Sequence, residues 1–191
     1  IHLRGDALGI QIAEQMAGSG PDSFPLAIAN RLWEKQLARH MGPDGSMIED
    51  SLSYHRFVLE MFCVRKLLGD KSQQLNEILR SSANHLVDLG VMDGPVPQFG
   101  DWDEGRVLTS STDPHSVANA AALGLALAGE PIPNDWFDRF DALSWYLPNA
   151  ERQRLIDSGR PARQNSTKSV DRFSRSDIDG LQTWLKGGIG S

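Results

Sequence analysis

The chain has 191 residues, 40% of them apolar, and a formal charge of −6 from 19 basic against 25 acidic side chains. That balance excludes a broad phosphate-backbone binder, which needs a basic face, but leaves room for an anionic ligand held by a few local His and Arg. Cys63 is alone, so no internal disulfide forms, and no run reaches the roughly 18 apolar residues of a membrane span.

Residue 1 stands inside IHLRGDALGIQIAEQM, a helical pattern without a starting Met or signal segment, which reads as the interior of a longer chain. Leu8, Ile12 and Met16 fall on one stripe there. The segment 24–41 places Leu26, Ala29, Leu32, Trp33, Leu37 and Met41 on a second stripe, stopped by Gly42-Pro43. A third helix starts with Asp50 or Ser51 as N-cap, lines Tyr54, Phe57, Val58, Met61, Phe62 and Leu68 on one face, and ends at Gly69. The fourth, 71–90, carries Leu75, Ile78, Leu79, Leu86 and Leu89 and closes at Gly90.

A turn-rich loop, 91–114, is long enough to suggest a functional segment. A small-residue helix over 115–129 and two shorter helices, 136–147 and 149–159, follow. From Arg160 the chain turns polar and basic without helical period, then GLQTWLKGG alternates like a strand. One strand does not stand alone, so it either pairs within the chain or opens a further β domain. The expected organisation is a helical domain over 1–159, a polar linker over 160–178 and the start of a β domain over 179–191. Short connections favour antiparallel hairpins, and both a bundle and part of an α/α toroid fit an all-α reading.

Three places carry candidate chemistry. Tyr54-His55 near the start of the third helix is either core filler or a phenol and an imidazole reaching a groove, where a Tyr can serve as general acid or base. Base work would require its ordinary value near 10 to fall, as cationic neighbours would make it. In FGDWDEGR, Asp101, Asp103 and Glu104 lie beside Trp102 and Arg106. The spacing is unlike a calcium loop, because the twelfth position is Thr112. A hydrogen-bonded turn remains open, as does a substrate-facing loop in which Trp102 stacks on a sugar and Arg106 grips a carboxylate. His2 stands at the edge of the first helix, while His40, His85 and His115 read as ordinary. No zinc spacing, nucleophile elbow or phosphate-binding glycine loop is present, so no metal or cofactor is expected.

Taken together, HLRGDALG, DGSMIEDSLSYHRFVLEMF and VPQFGDWDEGR resemble segments of the heparinase II/III-like polysaccharide lyases, relatives of the alginate and heparan lyases. The first is similar to that family's Asn-His segment, the second to its Tyr-His segment, the third to its Gly-Asp-x-Asp-x-Gly-Arg loop. The likeness covers roughly residues 1–150. It implies an α/α toroid followed by an antiparallel β-sandwich, with GLQTWLKGG as the first strand of the latter. It also implies β-elimination at a uronic acid: the C5 proton is removed, the 4-linked oxygen leaves, and an unsaturated sugar remains. Donors that neutralise the carboxylate stabilise the enolate-like state, each on the order of 10²–10³ in rate.

By this resemblance Tyr54 is the catalytic tyrosine and His2 the histidine beside the carboxylate-neutralising Asn, while His55 supports Tyr54 or touches substrate. Glu49, Asp101, Trp102, Asp103 and Arg106 form the cleft. The chain departs from the family at Ile1, which stands beside His2 where Asn is expected, unless that Asn lies just upstream. The implied ligand is an acidic polysaccharide such as alginate or a glycosaminoglycan, the missing partner is the β domain of the same chain, and the implied location is periplasmic or secreted. Alone, the fragment is expected to be inactive. Against the lyase stand a carbohydrate- or partner-binding helical module without catalysis, and an ordinary helical bundle in which Tyr54 is wholly buried.

Overall fold

A computed structural model of the chain describes residues 2–36, 39, 41–49, 51–93, 100–101, 105–108 and 116–158, together with 169–170, 173–178 and 181–186. The first helix, α1 (His2–Met16), buries Arg4, Ala7, Leu8 and Gln11. This i, i+3, i+4, i+7 stripe differs from the expected Leu8–Ile12–Met16 line: Ile12 is partly buried and Met16 is exposed. Its partner α2 (Phe24–Gln36) buries Ala29 and Trp33. Among the described residues α2 ends at Gln36 rather than at Met41. Met41 instead forms an antiparallel bridge with Met47 around the turn 42–46.

The central helix is α3 (Leu52–Leu67). Ser51 caps it, with extended backbone and its hydroxyl accepting from the Tyr54 N–H at 3.3 Å. Nearly every residue from Leu52 to Cys63 is buried, including Ser53, His55, Arg56 and Glu60. The apolar stripe read from sequence is therefore not what selects its buried face. Tyr54 and Phe57, which belong to that stripe, are only partly buried, because α3 is covered on several sides at once. The next helix, α4 (Gln73–Asp88), is capped by Ser72 and buries Leu75, Leu79, Ala83 and Leu86. Gly90 follows with φ +80°, the left-handed position expected after a helix end.

Small residues make up α5 (Ser116–Leu127), and their size decides the packing. A Cβ on Gly124 would stand 3.1 Å from Leu59 Cδ1 and 3.2 Å from Ala83 Cβ, so α5 approaches α3 and α4 closely at that point. The segment expected as one helix over 136–147 is two, α6 (Trp136–Arg139) and α7 (Asp141–Tyr146), broken at extended Phe140. The Asn119 carboxamide of α5 accepts the Ala142 N–H at 3.0 Å and fixes the start of α7. The last helix is α8 (Asn149–Asp157).

Helix directions follow from paired contacts. Arg4 donates to the Gln36 carbonyl and Ser23 to Glu14, so α1 and α2 are antiparallel. His55 meets Ser82 and Arg65 meets Asp70, so α3 and α4 are antiparallel. Gly124 packs on Ala83 and Glu130 pairs with Arg80, so α5 reverses α4. Gly5 faces Met61, Gln11 meets Arg65 and Gln15 meets the Leu68 carbonyl, so α1 and α3 run together. The result is a series of antiparallel hairpins in which α1, α3 and α5 share one direction. One continuous core joins α1 through α8, with Trp33 edge-on to Phe62 at 5.9 Å and the lone Cys63 fully buried beneath them.

Further along, β1 (Ser169–Val170), β2 (Phe173–Ile178) and β3 (Leu181–Lys186) pair antiparallel in the order β1-β2-β3. Within that sheet β3 pairs with β2, Phe173–Ile178, in a register closed by Ile178 opposite Leu181. That partner lies in the stretch read as linker, whose charged and polar composition hid a strand. No helix among the described residues is long and apolar enough to cross a membrane.

Candidate functional site

The N-terminal half of α3 is tied to the acidic loop by its own side chains. Ser51 Oγ donates to the Asp101 carbonyl at 2.6 Å and Ser53 Oγ to the same oxygen at 3.0 Å. One turn on, Arg56 Nη2 donates to the Gly105 carbonyl at 2.5 Å. A further turn on, the Glu60 carboxylate accepts the Val107 N–H at 2.8 Å and the Leu108 N–H at 3.2 Å. At about 100° per residue, positions 53, 56 and 60 fall on one narrow arc of the helix, and Tyr54 lies about 100° around from Ser53. Tyr54 keeps partial exposure between two buried neighbours, Ser53 and His55.

Arg56 and Glu60 are 1% and 3% exposed, and Arg56 Nε lies 3.7 Å from Glu60 Oε1. Burial pushes the Glu60 carboxyl above its usual range; the Val107 and Leu108 N–H groups and the Arg56 and Arg106 charges oppose that rise. Arg106 is partly buried, and its charge is near enough to favour ionised Glu60. Asp101 is exposed while its carbonyl is held, so its carboxylate faces outward from a fixed backbone.

His55 goes the other way. It is 2% exposed, and its Nε2 shares a 2.8 Å hydrogen bond with Ser82 Oγ of α4. Its ring stacks on His85, centroids 5.5 Å apart. Burial, and then the His85 charge, pull the His55 imidazole down to about 3, so it is neutral near pH 7. Beyond it, His85 Nδ1 lies 3.8 Å from Asp44 Oδ2. Asp44 also accepts the Ser46 N–H at 3.0 Å and hydroxyl at 2.6 Å. Desolvation would raise the Asp44 carboxyl, but the Ser46 bonds and His85 outweigh it and hold it below its usual range. The expectation that His55 touches substrate does not fit this burial: on α3 it points about 100° from Tyr54, into the α3–α4 interface. Its support of Tyr54 is at most through the helix they share.

Of the remaining expected residues, His2 is exposed at the start of α1. The described contacts of α1 with α3 run from Met61 to Leu68, whereas Tyr54 is in the first turn of α3. Because the two helices run together, His2 and Tyr54 lie towards the same end of the fold. Glu49 is exposed just before the Ser51 cap. Trp102 and Asp103 lie outside the described residues, as do Ile1, His40 and His115. Sequence reasoning missed Ser51, Ser53, Arg56 and Glu60 as loop-holding groups, since main-chain recognition leaves no motif. It also passed over the His85–Asp44 contact. The i, i+4 spacing of Arg56 and Glu60 was visible, but it reads as a solvated ion pair. Among the described residues no cluster of His, Cys, Asp or Glu is arranged to hold a metal ion. Compared with protein-family models, with curated proteins and with solved structures, the chain matches none of them.

Proposed function

We propose that this chain is the helical part of a lyase that cleaves uronic-acid-containing polysaccharides by β-elimination, with Tyr54 handling the proton at the leaving oxygen. The observation that supports this reading best is the stitching of the first turns of α3 to the acidic loop through Ser51, Ser53 and the Asp101 carbonyl. Tyr54 stands in that same first turn of α3 with partial exposure, and the composition of the loop matches a sugar-acid cleft. The shared direction of α1, α3 and α5 agrees with successive hairpins of an α/α toroid. In this reading a β-sandwich follows the helical part and supplies the remaining cleft wall, and periplasmic or secreted location goes with it.

In the proposed reaction the charge of the glycan carboxylate must be neutralised before C5 gives up a proton, and Arg106 and His2 are the hydrogen-bond donors this reading assigns to that task. The test is the ultraviolet absorbance of the unsaturated product, followed with alginate and glycosaminoglycans on the chain alone and on a polypeptide extended through the β domain. The extended protein is expected to form product, and Tyr54→Phe to abolish it; full activity in Tyr54→Phe sinks the assignment.

The inward orientation of His55 favours a second reading, a glycan-binding helical module without catalysis, because it removes one polar group from the side of Tyr54. Glycan affinity without unsaturated product in the extended protein would select that reading.

A further inference from the structure

We infer that Arg56 and Glu60 are positioning residues that aim Arg106 at the carboxylate of a bound uronic acid. The inference rests on the reading of this site as a uronate-glycan cleft. Arg106 stands between the two residues whose peptide groups the pair holds: the Gly105 carbonyl by Arg56 and the Val107 N–H by Glu60. Leu108 N–H adds a second bond to the same carboxylate. The backbone on both sides of Arg106 is thereby pinned, while its side chain keeps partial exposure.

The cost of the arrangement argues for a role beyond packing. Two charges taken out of water lose several kcal/mol of hydration each, and an apolar pair of similar volume commonly serves a core as well or better. Here the charges are not spent mainly on each other. The 3.7 Å between Arg56 Nε and Glu60 Oε1 is longer than a hydrogen bond, whereas their bonds to the loop run from 2.5 to 3.2 Å. Both side chains project from one arc of a rigid, fully packed helix, so the loop inherits the rigidity of the core. A guanidinium recognises a carboxylate through a planar fork, which demands a fixed approach direction, and a pinned backbone supplies one.

The experiment measures binding of alginate, heparosan and hyaluronan oligosaccharides, each beside its carboxyl-reduced form, to the chain and its variants. Arg106→Ala and Glu60→Leu are each expected to weaken the acidic oligosaccharide about 10- to 100-fold. Neither is expected to change the affinity for the carboxyl-reduced form. The double variant is expected to lose no more than either single one, since both remove the same contact. Glu60→Gln keeps the shape and one acceptor; it is expected to fold as the parent and show a smaller loss of the same selectivity. Additive losses, or equal losses for acidic and reduced glycans, overturn the positioning role while leaving the cleft reading intact. No binding of any acidic oligosaccharide, either by the unaltered chain or by the polypeptide extended through the β domain, overturns the cleft reading, and the assignment of Arg106 with it.

Discussion

The imidazoles of His55 and His85 stack between α3 and α4, ring planes 25° from parallel, with Asp44 at the far end of the pair and Ser82 at the near end. A positive charge on the His55 ring has no place in this column, because the ring is buried and the His85 charge opposes it. The pair therefore links helix packing to acidity.

Acid stability should show this link. His55 titrates near 6.5 unfolded and is pulled down to about 3 when folded, so the unfolded chain binds its proton first. Its contribution is fully present above about pH 6.5 and is lost as pH falls towards 3, by up to roughly 1.4 kcal/mol per pH unit. Asp44, held below its usual range, loses stability in the same direction at lower pH. Glu60, held above its range, acts oppositely and is relieved on acidification. Denaturation midpoints between pH 7 and 4 should fall, and the His55 ring resonances should keep neutral-imidazole values down to pH 5. Protonation of folded His55 near pH 6 would contradict the assignment.

Gly45 should tolerate no side chain. Its φ is +83°, and a Cβ would stand 2.1 Å from the Ser81 carbonyl oxygen, a backbone atom with nowhere to go. Gly18 has φ +66° with nothing within 4 Å. Gly18→Ala should cost about 1 kcal/mol from backbone strain alone. Gly45→Ala should cost at least about 3 kcal/mol, because the turn 42–46 must lift off α4 and carry Asp44 away from His85. Urea denaturation of the two variants checks the order; equal losses would show that the close approach is not maintained in solution.

The two serines at the head of α3 should separate by their second jobs. Both hydroxyls donate to the Asp101 carbonyl, and Ser51 also accepts from the helix, at the Tyr54 N–H. Ser51→Ala should lose about 1 kcal/mol for the cap in addition to a share of the loop bond. Ser53→Ala removes no helix cap, and Asp101 retains one donor, so its loss should be the smaller. Thermal denaturation that ranks Ser53→Ala as the more damaging change would argue against Ser51 as the cap.

Gly124 tests how tightly α5 is seated. Alanine gains about 1 kcal/mol of helix propensity over glycine. Its Cβ would also press on Leu59 and Ala83 at 3.1 and 3.2 Å. The two effects should nearly cancel, so Gly124→Ala should change stability by less than about 1 kcal/mol. Gly124→Val should lose about 3 kcal/mol, since branched bulk has only core atoms to displace. A stabilised valine variant would mean that α5 stands off from α3.

Helix order and caps were legible because they depend on neighbours in sequence: Ser51, read with Asp50 as a candidate N-cap, and the glycines after α3 and α4 are local chemistry. The buried faces were less so. A helix covered on several sides, such as α3, has no single apolar stripe, and Arg56 and Glu60 look like surface residues until Gly105, Val107 and Leu108 are laid over them. The split at extended Phe140 has no glycine or proline to announce it, and Asn119 of α5 holds the Ala142 N–H just beyond it. The β2–β3 hairpin left a trace that polar composition obscured: Asp179-Gly180, between the paired Ile178 and Leu181, is a dipeptide favoured in tight hairpin connections. Tyr54 falls in the first turn of α3, where the Ser51 cap puts it, while the orientation of His55 depends on where α4 packs.

Cys63 offers a use of its own. It is the single thiol of the chain, it has no accessible surface, and burial pushes its ionisation upward, so a thiol reagent in solution meets an inert group. Modification then requires α3 to be uncovered. Under native conditions the labelling rate becomes a clock for how often the hairpins part, read without denaturant and without any attached probe.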